Sequence, residues 1–249
     1  NEECGMRNIK LIIEYDGTNY HGWQIQKNAK TIQGVLVDAI KKLTKEETVL
    51  NGSGRTDSKV HAYGQVANFK TNSNIPAEKF SFALNRIIPE DIVVKKSEEV
   101  DMDFHARFSA QAKTYRYLIY NSKFPSALLR NRAWYIHYPL NFEDMKRAAD
   151  FFIGTHDFSA FRASGSDVEC SIRTISRISL DKNGDIISLE VTASGFLYNM
   201  MRIIAGTLIE VGRGKIKYED IKEIIEGGNR KKAGQTAPPE GLYLVEVYY

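Results

Sequence analysis

Residues 9–15 read Ile9-Lys10-Leu11-Ile12-Ile13-Glu14-Tyr15. Their apolar side chains at odd positions fall on one face, which is typical of a strand with one buried side. Further along, Thr31 can cap a helix, because its hydroxyl accepts a hydrogen bond from an unpaired N–H of the first turn. That helix carries apolar residues at helical spacing, namely Ile32, Val35, Leu36, Ala39, Ile40 and Leu43. The chain therefore opens with a strand followed by an amphipathic helix.

Two further strands, a second helix and a final strand complete the first half. We expect strands at residues 48–50, 65–69 and 92–95, the last two separated by a helix that Pro76 opens. The inward residues of that helix are Phe80, Ala83, Leu84 and Ile87. The resulting order, β-α-β-β-α-β, is that of a ferredoxin-like unit.

The second half repeats this order with insertions. We expect strands at residues 113–120, 134–138, 172–180, 186–191 and 242–247, and helices from Asn141 to Gly154 and at 196–211 and 218–225. Asn183-Gly184 predicts a type I′ turn between two of the strands. The fold class is thus α+β, with two ferredoxin-like lobes at 6–105 and 106–249. No linker rich in Gly, Ser or Pro separates them, so we expect one mixed, mainly antiparallel sheet with helices on its faces and the site in a central cleft.

The composition is that of an ordinary globular protein, with 43% hydrophobic and 26% charged residues. Because the net charge is only +3, any nucleic-acid footprint must come from local clustering. Cys4 and Cys170 show no metal-ligand or redox spacing, which favours a reducing cytoplasm. No apolar run approaches the roughly 20 residues that span a bilayer, so we expect no membrane contact. Met6 resembles an initiator, and residues 1–5 are expected to be a vector remnant.

One local cluster of charge stands out between Phe104 and Phe142. This stretch contains no Asp or Glu, but it contains six cations: Arg107, Lys113, Arg116, Lys123, Arg130 and Arg132. Interleaved with them are the aromatic residues Tyr115, Tyr117, Tyr120, Trp134 and Tyr135. Cations neutralise phosphates and aromatic rings stack on unpaired bases, so the mixture favours an RNA surface. The alternative is an amphipathic strand pair with a solvated basic face.

The sharpest local feature runs from Asn51 to Ala62, where glycines permit tight turns between two strands. Arg55 and Asp57 lie two residues apart within it. On the residues alone, two hypotheses stay open. The loop can be a polar connection in which Asp57 caps a turn and Arg55 pairs with a surface acid, or it can carry a catalytic carboxylate.

Several motifs in chain order resemble the tRNA pseudouridine synthase A family. The loop match is Gly54-Arg55-Thr56-Asp57 with Val60-His61-Ala62. The others are Glu14-Tyr15-Asp16-Gly17, Tyr20-His21-Gly22-Trp23-Gln24, Phe104-His105-Ala106-Arg107-Phe108-Ser109-Ala110, Lys113-Thr114-Tyr115-Arg116-Tyr117, Asp157-Phe158 with Phe161-Arg162, Phe196-Leu197-Tyr198-Asn199-Met200-Met201-Arg202, and Glu240-Gly241-Leu242-Tyr243-Leu244-Val245. Together they extend from about Ile9 to Tyr249.

The resemblance implies the pseudouridine-synthase fold and an isomerase that converts uridine to pseudouridine in the anticodon stem-loop of tRNA. It also implies a homodimer with tRNA as its partner. The reaction moves the base from N1 to C5 attachment without gain or loss of an atom, so no redox cofactor or energy source is needed. The five histidines show no metal spacing, and we expect neither a metal nor another cofactor.

Carried over position by position, the resemblance makes Asp57 the catalytic aspartate and Tyr115 the active-site tyrosine, whose ring can stack on the flipped uracil and whose hydroxyl can also transfer a proton. Arg202 pairs with and orients the aspartate, Leu242 forms an apolar wall near the base, and Arg55 takes a phosphate or the place of the flipped base. Whether Asp57 attacks C1′, adds to C6 or transfers a proton stays open.

The chain departs from the family where Ser58-Lys59 replaces the usual Ala-Gly. Losing that glycine narrows the conformations open to the loop, and the added lysine can contact phosphate. Alternative functions are an RNA-binding paralogue without catalysis, a synthase of the same family with another RNA target, and a hydrolase that releases the base. Such hydrolases usually pair two carboxylates, and Asp16 is the candidate for the second.

Overall fold

A computed structural model describes residues 5–165 and 170–249. The chain forms two compact units, one reaching to Gln111 and including Leu244–Tyr249, the other comprising Ala112–Tyr243. The C-terminal strand thus contributes most of its residues to the first unit. Residues 1–4 of the expected vector remnant lie outside the described part.

The first unit has the elements β1 (Arg7–Tyr15), α1 (Ile32–Thr44), β2 (Asn51–Gly52), β3 (His61–Thr71), α2 (Lys79–Asn85) and β4 (Ile92–Val100). Its strands lie in the order β4-β1-β3, with β2 paired to β3 and β10 (Leu242–Tyr248) also beside β3. The β1–β3, β1–β4 and β2–β3 pairs are antiparallel. The predicted β-α-β-β-α-β order is confirmed, but the strand expected at residues 48–50 is wrong in position, because the short strand β2 begins only at Asn51.

Local signals account for the helix starts. Thr31 accepts a hydrogen bond from the Gly34 N–H (3.3 Å) and caps α1. Asn141 accepts one from the Asp144 N–H (3.2 Å) and caps α3, the helix at Phe142–Asp150. The predicted helix after Pro76 is shorter than expected and ends at Asn85. Ile87 therefore lies beyond the helix and is 44% exposed, so its predicted inward position is wrong.

Strand β3 contains a β-bulge opposite the end of β1. Ile13 lies opposite Gln65 and Tyr15 lies opposite Ala62, so three steps along β3 correspond to two along β1. Because side chains alternate along a strand, the extra residue turns Gln65 to the same buried face as Ala62. Without the bulge, Gln65 would point to the other face.

The second unit has the elements β5 (Ala112–Asn121), β6 (Trp134–Ile136), α3 (Phe142–Asp150), β7 (Gly154–Asp157), β8 (Ile172–Asn183), β9 (Ile186–Ala193), α4 (Met200–Gly212) and α5 (Asp220–Gly227). Its strands lie in the order β5-β9-β8-β7 with antiparallel pairing, and β6 runs parallel to β5. The α+β class and the mainly antiparallel mixed pairing are confirmed.

The second unit differs from the prediction in three places. The strand β7 was not predicted, because four residues beginning with Gly154 carry too little alternation to reveal an edge strand. The helix α4 begins at Met200 and not at Phe196, since Asn199 adopts a left-handed conformation (φ 59°) just before it. The hairpin is confirmed, but the predicted type I′ turn is wrong. Asn183 pairs with Ile186, so the two turn residues are Gly184 and Asp185. A type I′ turn needs positive φ at both, and only Gly184 has it (57°).

Candidate active site

The Asp57 loop, defined as residues 53–60, connects β2 to β3 in the first unit. Arg55 is exposed and Asp57 is half-buried, whereas Thr56 between them is buried. The Asp57 carbonyl accepts a hydrogen bond from the Val60 N–H (3.1 Å), which closes a turn beginning at the aspartate. The loop therefore holds Arg55 and Asp57 together at the surface on a backbone that is anchored between them.

A buried polar pair supports the first part of the loop. Ser53 and Gln65 are both fully buried, and the Ser53 hydroxyl donates to Gln65 Oε1 (2.6 Å). The Gln65 Nε2 in turn donates to the Gly54 carbonyl (3.0 Å). The Ser53 N–H donates to the Val66 carbonyl (2.8 Å), so side chain and backbone both tie this end of the loop to β3.

Thr56 is held through both its side chain and its carbonyl. Its hydroxyl shares a 2.7 Å hydrogen bond with the Tyr15 hydroxyl, and its carbonyl accepts from the Trp23 N–H (3.0 Å). Gly22 has φ of 86°, and a Cβ on it would lie 2.5 Å from the Thr56 carbonyl oxygen. The close approach of residues 22–23 to the loop thus requires glycine.

The turn after β1 is fastened to the other end of the loop. Asp16 Oδ1 accepts from the Thr18 N–H (3.1 Å), and Gly17 packs so closely that a Cβ would lie 2.0 Å from the Val60 carbonyl oxygen. Buried His61 places Nδ1 3.0 Å from the Gly17 nitrogen and 3.1 Å from Asp16 Oδ1. While Nδ1 accepts from the Gly17 N–H, it carries no hydrogen that it could donate to Asp16. The contact between His61 and Asp16 is therefore an ion pair only when the imidazole is protonated. Asp16 is in either case engaged in holding its own turn.

Lys59 carries backbone strain within the loop. It is exposed and adopts a left-handed conformation with φ of 67°, at the position where the resemblance in the sequence leads us to expect glycine. Its N–H donates to the Tyr20 carbonyl (3.3 Å), which also accepts from the Ser58 hydroxyl (3.2 Å). These contacts hold the loop in a conformation that side chains other than glycine disfavour.

Replacing Lys59 by glycine is therefore expected to stabilise the protein. Relief of the left-handed strain outweighs the added freedom of the unfolded chain, and we expect the free energy of unfolding to rise by about 0.5–1 kcal/mol. Lys59→Ala is the matched control, because it removes the charge and keeps the strain. Urea unfolding of both variants tests this, and equal stabilities for Lys59→Gly and Lys59→Ala would contradict it.

Tyr115 lies on β5 in the second unit, opposite Val191 on β9. It is 8% exposed, and its ring meets that of Phe196 edge-on at a centroid distance of 4.8 Å. Tyr117, two residues along the same face, is fully buried, and its hydroxyl donates to the Pro238 carbonyl (2.6 Å). Burial raises the pKa of the Tyr117 hydroxyl well above its ordinary value. Both tyrosines are therefore buried, Tyr117 completely and Tyr115 with a small exposed fraction.

Arg202 lies on the first turn of α4 and is half-buried. Its Nε donates to the Ala237 carbonyl (2.7 Å), and one terminal nitrogen donates to Asn199 Oδ1 (2.9 Å). The guanidinium therefore has polar partners within its own unit, as the apolar surroundings of the helix require.

Leu242 begins β10 and is 7% exposed. The turn before it is tightly seated, because a Cβ on Gly241 would lie 2.6 Å from the ring of Tyr117. Arg202 and Tyr117 hold adjacent carbonyls, those of Ala237 and Pro238, a few residues upstream. Arg202 therefore contacts the segment at residues 237–241, which leads directly into Leu242.

One cation of the acid-free stretch is paired with an acidic residue from another strand. Arg116 donates from Nε to Glu190 Oε1 (2.7 Å) across the β5–β9 pair, so an acid distant in sequence neutralises it. The exposed cations are Arg107, Lys123, Arg130 and Arg132. Among them lie two exposed apolar side chains, Phe124 (68%) and Leu128 (90%), in the loop between β5 and β6.

The sequence patterns assign no role in the site to Tyr15, Thr56 or Gln65. Tyr15 was expected to lie only on the buried face of a strand, and residues 65–69 were expected to form a plain strand. The available signal was a glutamine at the start of a strand whose other residues are mostly apolar. Within the described ranges, no group of three or more His, Cys, Asp or Glu residues is placed to hold a metal ion. In those same ranges, no helix is both long and apolar enough to cross a membrane.

A model of the tRNA pseudouridine synthase family matches residues 11–109 and 148–249. Arg55, Asp57, Arg202 and Leu242 fall inside the matched blocks, and Tyr115 falls between them. The tRNA pseudouridine synthase A of Acetivibrio thermocellus is 64% identical over 244 residues, which cover 98% of this chain and 100% of that protein. Proteins of the same name from Thermoanaerobacter pseudethanolicus and Ruminiclostridium cellulolyticum are 57% and 56% identical, with the same coverage.

Among solved structures, similarity extends to an H/ACA ribonucleoprotein bound to a substrate RNA containing 2′-deoxyuridine. The match covers 95% of this chain and 47% of that chain, at 12% identity and a TM-score of 0.39. This chain therefore spans about half the length of the one it matches.

Proposed function

Since the chain belongs to the tRNA pseudouridine synthase family and is thus an isomerase of tRNA uridines, we propose that Asp57 is its catalytic carboxylate and that it acts in the anticodon stem-loop. The resemblance seen in the sequence is confirmed at the level of the family. The observation that supports the proposal for Asp57 is its setting: it is half-buried, on a loop that is anchored by the buried, hydrogen-bonded side chains of Thr56 and Ser53.

The reaction breaks the bond from C1′ to N1 of uracil and forms one from C1′ to C5, and the C5 proton is lost as N1 gains one. A carboxylate can serve either as a nucleophile or as a proton acceptor in this sequence. The anchoring of Thr56 suits both roles, because it limits movement of the adjacent Asp57.

The other candidate residues take roles around the extruded base. Tyr115, with its ring against Phe196, is proposed to stack on the uracil. Leu242 supplies an apolar wall, and exposed Arg55 takes a phosphate or fills the gap left by the flipped nucleotide. Arg202 is proposed to orient Asp57 while it holds the Ala237 carbonyl.

We also propose that the protein acts in the cytoplasm as a homodimer. Light scattering on the purified protein measures its mass in solution and tests the dimer.

Incubation of an unmodified tRNA transcript with the protein decides between the functions. The proposal predicts pseudouridine in the digested product, located in the anticodon stem-loop, and no free uracil. Free uracil would instead indicate a hydrolase, and unchanged RNA that remains bound would indicate a binding protein without catalysis. Pseudouridine at another position would retain the chemistry and overturn the proposed target.

We propose that the exposed part of the acid-free stretch contacts the tRNA backbone. Lys123, Arg130 and Arg132 are exposed and flank the exposed Phe124 and Leu128 in the sequence, and Lys123 Nζ lies 5.4 Å from the centroid of the Phe124 ring. Apolar side chains among cations suit a nucleic acid, which offers both phosphates and base faces.

The salt dependence of tRNA binding tests this surface. If Arg130 and Arg132 each neutralise a phosphate, replacing both with alanine should reduce the log–log salt slope by about 1.4–1.8. The control is Lys95→Ala/Lys96→Ala on β4, which also removes two charges. Both lysines are already paired with acids: Lys95 Nζ lies 3.4 Å from Glu14 Oε2, and Lys96 Nζ lies 2.5 Å from Glu98 Oε2. Equal slopes for the wild type and the arginine variant would place the footprint elsewhere.

A further inference from the structure

We infer that Tyr15 and Gln65 are positioning residues, which act through Thr56 and Ser53 to hold the Asp57 loop in its reactive conformation. The inference rests on the role proposed for Asp57. It concerns residues that need not touch the RNA, because both lie under the loop and are 3% and 0% exposed.

The loop residues that Tyr15 and Gln65 hold lie immediately before Asp57 in the chain. Thr56 directly precedes Asp57, and it is the loop residue whose hydroxyl meets Tyr15 at 2.7 Å. Ser53 and Gly54 are the loop residues that Gln65 holds, at 2.6 and 3.0 Å. Tyr15 and Gln65, both buried in the first unit, thus bind the loop at residues just before Asp57.

The bulge in β3 determines which way Gln65 points. It brings Gln65 to the same face as Tyr15, since Ile13 pairs with Gln65 and Tyr15 pairs with Ala62. Bulges beside functional sites commonly redirect a side chain in this way. Gly64, inside the bulge, lies so close to β10 that a Cβ would sit 2.5 Å from the Val245 carbonyl oxygen. The bulge is therefore part of the packed sheet.

Losing either of these hydrogen-bonded supports is costly, because the groups involved are buried. All four side chains are buried, and within the described residues no buried side-chain nitrogen or oxygen lacks a hydrogen-bond partner. Burial raises the pKa of the Tyr15 hydroxyl far above its ordinary value, although bonds to Thr56 and Gln65 partly offset the rise. The neutral hydroxyl is therefore the form that burial favours. Removing it leaves the Thr56 hydroxyl buried without that partner, and the loop gains room to move.

Small displacements of a reacting group are costly, because a shift of about 1 Å can lower a rate on the order of 100-fold. We therefore expect Tyr15→Phe to lower the single-turnover rate at saturating enzyme by roughly 10- to 100-fold. The dissociation constant for tRNA should stay close to the wild-type value, because the hydroxyl lies beneath the loop. Gln65→Met, which keeps the volume and removes the amide, should act in the same direction.

The matched control is Tyr249→Phe in the same unit. The Tyr249 hydroxyl donates to the Ala106 carbonyl (2.7 Å), outside the Asp57 loop. This variant removes a similar hydrogen bond and should lower the temperature of unfolding as Tyr15→Phe does, yet leave the turnover rate unchanged. A merely structural role for Tyr15 predicts equal turnover for the two variants, and that result would overturn the inference.

A double-mutant cycle with Thr56 gives the second test. Thr56→Ser keeps the hydroxyl and should turn over nearly as fast as the wild type, whereas Thr56→Val removes it. Because Tyr15→Phe and Thr56→Val delete the same hydrogen bond, the double variant should be no slower than the slower single variant. Multiplicative losses would show that the two residues act independently and would contradict the inference.

The same assays separate this inference from the proposed function. If Asp57→Asn retains turnover, the proposed role of Asp57 fails and the inference falls with it. If Asp57→Asn is inactive while Tyr15→Phe matches Tyr249→Phe, the proposed function stands and only the positioning role is lost.

Discussion

Asp57→Asn is expected to abolish pseudouridine formation, with a loss in single-turnover rate of at least about three orders of magnitude. Asparagine keeps the size of the side chain but can act neither as a carboxylate nucleophile nor as a base. The backbone of the loop should be unaffected, because the bond from the Val60 N–H reaches the main-chain carbonyl of residue 57. Binding of tRNA should change little, and mass analysis of digested tRNA measures the product.

Asp16→Asn provides the contrast between one catalytic carboxylate and two. Asp16 accepts from the Thr18 N–H and touches His61, so its loss should weaken the turn after β1 and lower stability. We expect this variant to remain active when folded. Substantial product from Asp57→Asn would remove Asp57 from the mechanism, and inactivity of both folded variants would favour a pair of carboxylates.

Tyr115→Phe is expected to be the second most damaging change. If the Tyr115 hydroxyl transfers a proton, its removal should slow the chemical step by about 10²- to 10⁴-fold. Binding of tRNA should persist, since the phenylalanine ring keeps both the contact with Phe196 and the face that stacks on the base. Tyr115→Leu removes the ring as well and should lose about 1–3 kcal/mol of binding in addition.

Tyr120→Phe serves as the control for Tyr115. It deletes a tyrosine hydroxyl from the same strand, near the far end of β5, and should turn over like the wild type. Single-turnover rates at saturating enzyme separate the chemical step from binding. A Tyr115→Phe variant as fast as Tyr120→Phe would leave Tyr115 as a stacking surface alone.

Much of the fold follows from local sequence. The alternation from Ile9 to Tyr15 and the caps at Thr31 and Asn141 predict elements that the structure contains, because these signals act over one strand or one helical turn. Elements without such signals were missed or misplaced. The strand β7 depends on pairing with β8, and the start of α4 depends on the left-handed conformation of Asn199.

The candidate site divides in the same way. Motifs in chain order were enough to identify the family and to place Arg55 and Asp57 on one short loop. The acid-free stretch was also visible, but its net charge was not, because Glu190 neutralises Arg116 from a strand 74 residues away.

What the sequence alone determined is thus the order of the elements, the family and the position of the Asp57 loop, since each is written in contiguous residues. The tertiary structure decided how that loop is held. Gln65 faces the loop only because a bulge shifts the register of β3 against β1, and Thr56 meets Tyr15 only because the loop folds over the end of β1. Strand register and buried hydrogen bonds arise from pairing between distant segments, and a local pattern of side chains does not specify them.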